Sequence, residues 1–267
     1  VNAVFEGGGI KGLAYVGALR YLEERGIRIA QAAGTSVGAI MASLVVVGYN
    51  SYEIESIINN IDVNLLWPKK RRNKLVNTYD TIKKMYVYPI EPLEDFLNKL
   101  YETKGKRKFK DIKIGNNYKL KVIVTYFKNK QMLVFPDDLP KLGINPDEVD
   151  IAKVVCMSSS LPFVYPPYKL SGHSFLDGGL SDNFPIWIFS DNVIGFRINK
   201  DNKTLKFVQK KVFKNKRAHE SDNVICIDTC GYKATNFVKG IKERNILYNR
   251  GYYFTKQFFT KLFMSRS

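Results

Sequence analysis

The sequence predicts an α/β fold containing parallel strands, and two observations carry that expectation. Strand-like and helix-like runs alternate from the first residue. The first two strand-to-helix junctions are also rich in glycine: Glu6-Gly7-Gly8-Gly9-Ile10-Lys11-Gly12 and Gly34-Thr35-Ser36-Val37-Gly38. With 267 residues, 45% of them hydrophobic, the chain can bury a substantial core. No internal repeat or linker interrupts it. A single domain is therefore expected over 1–267, with the motifs in 1–190 and further strands and a helix in 191–267.

The elements follow in order. Val1 to Phe5 reads as a strand, and Ala14 to Arg25 as an amphipathic helix ended by Gly26. Ile27 to Ala33 reads as the second strand, and Val37 to Val47 as an almost wholly apolar helix under the sheet. Tyr52 to Leu100 is helical but interrupted at Trp67-Pro68, with a regular amphipathic stretch from Glu91 to Leu100, and could cap a site. Lys119 to Phe127 and Gln131 to Phe135 flank a polar turn as a hairpin. A helix from Ile151 to Ser160 precedes a proline-rich stretch. Asn192 to Ile198 and Asn223 to Asp228 read as two more strands, and Thr235 to Met264 as a long helix with aromatic residues at helical intervals among basic ones.

Charge narrows the function classes. With 42 basic and 25 acidic residues the formal net charge is +17, which favours anionic surfaces, phospholipid or nucleic acid. The basic residues cluster at 69–74, at 104–110 and between Lys200 and Arg217. No zinc-finger spacing, RNP-like aromatic pattern or helix-turn-helix accompanies them, so nucleic acid is not expected as a partner. The longest apolar stretch, Val37 to Gly48, is roughly a dozen residues, short of the ~20 that span a bilayer. No signal peptide is visible, and a cytoplasmic or peripheral membrane location is expected. Cys156, Cys226 and Cys230 lack metal or redox spacing and read as reduced thiols; no metal or cofactor is expected.

The chemistry rests on three motifs. A serine exposed on a sharp strand-to-helix turn needs small residues two positions to either side, and Gly34 and Gly38 flank Ser36 in that way. The glycine loop Gly7 to Gly12 opens a helix, where backbone N–H groups and the helix dipole favour an anion, either a phosphate or the oxyanion of a tetrahedral intermediate. A dinucleotide site would want an acidic residue at the end of the next strand, and that strand delivers Gly34-Thr35-Ser36 instead. Asp177-Gly178-Gly179 is by itself an ordinary turn. It gains weight because the chain has two histidines and neither suits a triad: His219 lies in a basic polar segment, and His173 in a hairpin-like turn before the acid. A histidine-free Ser/Asp dyad is the economical reading.

In that order, Gly7-Gly8-Gly9-Ile10-Lys11-Gly12, Gly34-Thr35-Ser36-Val37-Gly38 and Asp177-Gly178-Gly179 resemble the patatin-like phospholipases. The resemblance implies a three-layer α/β/α fold with a mostly parallel sheet. It also implies Ser36 as nucleophile, Asp177 as general base and Gly7 to Gly12 as oxyanion hole; the position after the nucleophile makes the Val37 amide a further candidate donor. Phe175 and Leu176 are the candidate apolar wall raising the Asp177 pKa. Lys11 stands where the family commonly has arginine, which keeps the charge and loses the planar fork. The implied activity is phospholipase A-type hydrolysis of phospholipid acyl esters through an acyl-enzyme, at an anionic membrane surface. The alternatives are a carboxylesterase or thioesterase for soluble esters and, more remotely, a basic binding protein without catalysis.

Overall fold

The computed structural model describes residues 1–61, 88–198 and 223–264. The first and third basic runs, Trp67-Pro68 and His219 lie outside them. The strands are β1 (Asn2–Phe5), β2 (Gln31–Gly34), β3 (Lys113–Ile114), β4 (Asn117–Tyr118), β5 (Leu120–Tyr126), β6 (Met132–Phe135), β7 (Tyr168–Leu170), β8 (His173–Asp177), β9 (Val193–Arg197) and β10 (Val224–Cys226). The helices are α1 (Ala14–Glu24), α2 (Val37–Val47), α3 (Ser51–Asn60), α4 (Glu91–Thr103), α5 (Ile151–Ser159), α6 (Phe237–Lys242) and α7 (Arg244–Met264). Apart from the β3–β4 ribbon, the strands form one eight-stranded sheet. It is parallel through β10-β9-β1-β2-β5 and antiparallel where β6 and β8 join β5 and β7 joins β8. The arrangement is the expected α/β/α one.

Alternation along β1 shows why both faces need cover. Ala3 and Phe5 enter the main core with α1, α2 and α5, whereas Val4 joins Ala33, Phe184, Ile186 and Val193 on the other side. The second strand is shorter than expected. Gly26, at φ 68°, closes α1, with the Ile27 N–H returning to the Leu22 carbonyl at 2.9 Å. Residues Ile27 to Ala30 are then needed to bring the chain back to the sheet, tied to Val1 by the Ala30 N–H at 2.8 Å.

The C-terminal helix is divided. Asn236 caps α6 with its side chain, and the break before α7 falls at Glu243, whose carboxylate accepts from the Tyr232 hydroxyl. The α7 stripe is mainly core: Tyr248 and Phe259 are buried, and Tyr252 and Phe259 pack on Tyr21 of α1. Two glycines permit that approach. A Cβ on Gly17 would lie 1.8 Å from the Tyr248 carbonyl oxygen, and one on Gly251 1.7 Å from that of Ala14. Among the described residues no helix is long and apolar enough to cross a membrane.

The second basic run is largely met by carboxylates. Lys104 pairs with Glu53 at 2.7 Å, Arg107 with Glu102 and Asp150, and Lys108 and Lys110 with Glu148; just beyond the run, Lys113 pairs with Asp147. Exposed pairs of this kind add little stability. They do offset the local positive field, so this run is less of an anionic-surface binder than its sequence suggests.

Candidate active site

Strand direction brings the motifs together. Strand β2 runs parallel to β5 with Gly34 opposite Val122, and β8 runs antiparallel to it with Asp177 opposite Val124. The carboxyl ends of β2 and β8 therefore approach each other head to head, about 7 Å apart along β5. Strand β1 lies beside β2 with Phe5 opposite Gly34, so the loop beginning at Glu6 emerges at the same place.

Ser36 sits at φ 54°, ψ −124° at the entry to α2. A non-glycine residue there is strained, and the surroundings must hold it. They do so through close backbone approach: a Cβ on Gly34 would lie 2.2 Å from the Gly38 carbonyl oxygen, and one on Gly38 2.2 Å from that of Phe5. The Ser36 N–H donates to Ser158 Oγ at 2.9 Å, and Thr35 Oγ1 donates to the Asp182 carbonyl at 3.0 Å.

Asp177 is buried at the end of β8, with 4% of its surface exposed. Its Oδ1 accepts the Gly179 N–H at 2.7 Å, and the Ser36 side chain lies close enough to the carboxylate to favour its charged form. Burial pushes its pKa from 3.8 up to about 6, outweighing the Gly179 N–H and the neighbouring Ser36 side chain, which favour the charged form. Its own N–H donates to the Ser160 carbonyl at 3.0 Å, and its carbonyl accepts from Thr125 Oγ1 at 2.9 Å. Gly178 lets the chain leave β8 against β5, since a Cβ there would lie 2.1 Å from the Ile123 carbonyl oxygen.

The glycine loop is clasped from two sides. Asn183 accepts the Gly7 N–H on its carbonyl and donates Nδ2 to the Gly7 carbonyl, both at 3.0 Å. The Ala234 carbonyl accepts the Ile10 N–H at 2.9 Å and lies 2.2 Å from where a Gly9 Cβ would be. Gly8 and Gly9 open a 3-10 turn and Val37 opens α2, so their N–H groups have no acceptor within the helix they begin. Gly12 allows the Val37 side chain to approach within 2.5 Å of its missing Cβ.

These groups meet at a cavity of about 230 Å³. Gly7, Gly8, Gly9, Ser36, Val37, Asp177 and Gly179 line it, together with apolar side chains that include Ile40, Leu161, Leu180 and Phe237. Ile10, Lys11 and Gly12 do not line it: Ile10 packs under Gly240 of α6, and Lys11 is half-buried, its pKa lowered by that burial against the opposing pull of Glu6. Phe175 and Leu176 do not line the cavity either; Phe175 packs on Tyr126 and Phe135. The Asp177 carboxylate shares the cavity with side chains from other elements instead, because in β8 only its terminal residue reaches the opening. The expected cap region contributes Ile61 and Leu93. His173 begins β8, about 13 Å from Asp177 by strand geometry, and bonds Tyr126 at 2.8 Å. Among the described residues no group of three His, Cys, Asp or Glu side chains could hold a metal. Sequence reasoning missed Ser158, Ser160 and Ala234, which brace the site through single hydrogen bonds and carry no local signal.

A family profile described as Patatin-like phospholipase matches residues 3–190. The chain is similar to YqhO, an uncharacterized protein of Bacillus subtilis, at 37% identity over 197 residues, covering 71% of this chain and 67% of that protein. It is 28% identical over 186 residues to the probable lipid hydrolase 463L of Invertebrate iridescent virus 6, covering 68% of this chain and 61% of the relative. Among solved structures, VipD from Legionella pneumophila superposes with a TM-score of 0.61 at 19% identity, covering 97% of this chain and 66% of that one. The chain thus spans two thirds or so of the length of these relatives.

Proposed function

The chain belongs to the patatin-like phospholipase family, and we propose that it is a lipid acyl hydrolase that cleaves membrane phospholipid esters through a Ser36/Asp177 dyad. One observation carries the reading: a strained serine and a buried carboxylate that share one apolar cavity, beside helix-opening amides. Ser36 Oγ attacks the ester carbonyl carbon while its proton passes to Asp177. A carboxyl with a pKa about 6 is a far better base than one at 3.8, and is still ionised at neutral pH.

The oxyanion forms next to the N–H groups of Gly8, Gly9 and Val37, donors fixed before the reaction begins. Collapse expels the alcohol, which takes its proton from Asp177 and leaves acyl-Ser36. Water then attacks, again giving its proton to Asp177, and the second collapse releases the fatty acid and restores the serine. The apolar wall receives the acyl chain, and the net charge of +17 supplies attraction to an anionic membrane surface.

The test is hydrolysis of phospholipid vesicles by the native protein, Ser36→Ala and Asp177→Asn, with a fluorophosphonate label to locate the nucleophile. Both variants should lose activity, and the label should map to Ser36. Turnover of soluble esters without vesicle hydrolysis would move the assignment to a carboxylesterase, and activity surviving in Ser36→Ala would end it.

A further inference from the structure

The cavity is bordered by two segments that each carry one large apolar side chain facing solvent. Phe163, between the lining residues Leu161 and Val164, is 70% exposed; Val238, next to the lining residue Phe237 on α6, is 67% exposed. Single exposed apolar residues are ordinary on protein surfaces. Phe163 is not ordinary, because its φ of 67° places a bulky residue in the left-handed region where glycine or asparagine would sit with less strain. It contributes little burial and an unfavourable backbone conformation, so folding stability does not account for a phenylalanine at that position.

We propose that Phe163 and Val238 form a rim that inserts into a lipid surface and holds the cavity mouth against it. An acyl chain would then pass from the lipid to Ser36 without crossing water. The proposal rests on the lipid-hydrolase reading and adds to it how the protein engages its substrate phase. Each rim residue adjoins apolar lining residues along the chain, Phe163 beside Leu161 and Val164 and Val238 beside Phe237. The occupant is an anionic bilayer rather than a second copy, since the net charge of +17 attracts the former and makes two copies repel. Long-range charge brings the protein to the surface, and rim burial retains it there by a force that salt does not screen.

The experiment is flotation with phosphatidylglycerol/phosphatidylcholine vesicles in about 1 M NaCl, where the Debye length is about 3 Å. It is run beside hydrolysis of those vesicles and of a short-chain ester kept monomeric in solution. Phe163→Asp/Val238→Asp should weaken vesicle binding by roughly a hundredfold, as expected when two apolar side chains no longer leave water. Vesicle hydrolysis should fall with it, while monomeric ester hydrolysis stays within about twofold, as expected for surface substitutions away from the reacting groups. Phe163→Gly should also lose high-salt binding yet melt at a higher temperature, which a structural role for the phenylalanine would not allow.

High-salt binding unchanged in the double variant overturns the proposal. So does a wild-type self-association that the double variant abolishes, which would give the rim to a second copy. The two readings separate cleanly: rim-dependent binding without any hydrolysis keeps the lipid surface and removes the enzyme, and hydrolysis with rim-independent binding does the reverse.

Discussion

Replacing Asp177 with asparagine should make the protein more stable while abolishing its activity, and the gain should depend on pH in a defined direction. In the unfolded chain the carboxyl ionises near 3.8; in the fold it keeps its proton up to about 6. Between those values the folded state binds more protons, so stability falls as pH rises through the window, and the full cost is in place above about pH 6. The gap corresponds to ~3 kcal/mol. Asparagine cannot ionise, and its side-chain oxygen can still accept the Gly179 N–H that Asp177 holds at 2.7 Å. Asp177→Asn should therefore exceed the wild type by ~3 kcal/mol at pH 8, or roughly 6–12 °C in Tm for a domain of this size. The difference should shrink toward zero below about pH 4. Urea denaturation at both pH values measures it, and wild-type activity should rise with pH through about 6 as the base ionises. A variant equally or less stable at pH 8, or one equally stabilised at pH 4, would refute the assignment of Asp177 as a carboxylate that burial disfavours.

Four further outcomes follow from the same geometry. Ser36→Gly removes a non-glycine residue from φ 54° and should raise stability by about 1 kcal/mol in urea denaturation with no turnover. A loss of stability would mean that the elbow is unstrained. Ser158→Ala takes away the acceptor of the Ser36 N–H and should cost ~1–3 kcal/mol, with a larger loss in kcat than in KM. In Asn183→Ala the glycine loop loses a hydrogen bond at the Gly7 carbonyl, and kcat and fluorophosphonate labelling should both slow while substrate affinity is retained. Gly251→Ala places a methyl 1.7 Å from the Ala14 carbonyl oxygen and should destabilise by ~3 kcal/mol or more, against a helix-propensity gain of about 1 kcal/mol. A stabilised variant would show that α1 and α7 are less tightly apposed than described.

What was legible in the sequence depended on how locally each constraint acts. Gly34, Gly38 and Gly178 could be read because each sits where the backbone of a neighbouring element leaves no room for a Cβ, and only glycine meets that demand. The strand-helix alternation was equally local, and it delivered the parallel half of the sheet. The head-to-head meeting of β2 and β8 was not legible, since it follows from which edge of β5 each strand finds. The braces from Ser158, Ser160 and Ala234 were hidden for a related reason: a serine hydroxyl or a backbone carbonyl reaching a distant amide leaves no trace in spacing. Thr235 to Met264 misled in a different way. Its aromatic periodicity is continuous, yet the helix breaks at Glu243, whose carboxylate accepts from the Tyr232 hydroxyl, a contact that spacing does not encode.

Because Ser36 and Asp177 are positioned by the register of two strands on β5, a third strand that contributes neither of them acts as a ruler for their separation. The chain between them includes the β5–β6 hairpin, α4 and α5, and its length does not enter the distance between the two residues. Insertions or deletions in those connections can reshape the cavity and its surroundings while leaving Ser36 and Asp177 in place. A slip of one residue along β5 would move one partner by about 3.4 Å and turn its side chain to the opposite face of the sheet. The substrate-facing parts of this architecture are thus free to diverge, while the hydrogen-bond lattice beneath them is not.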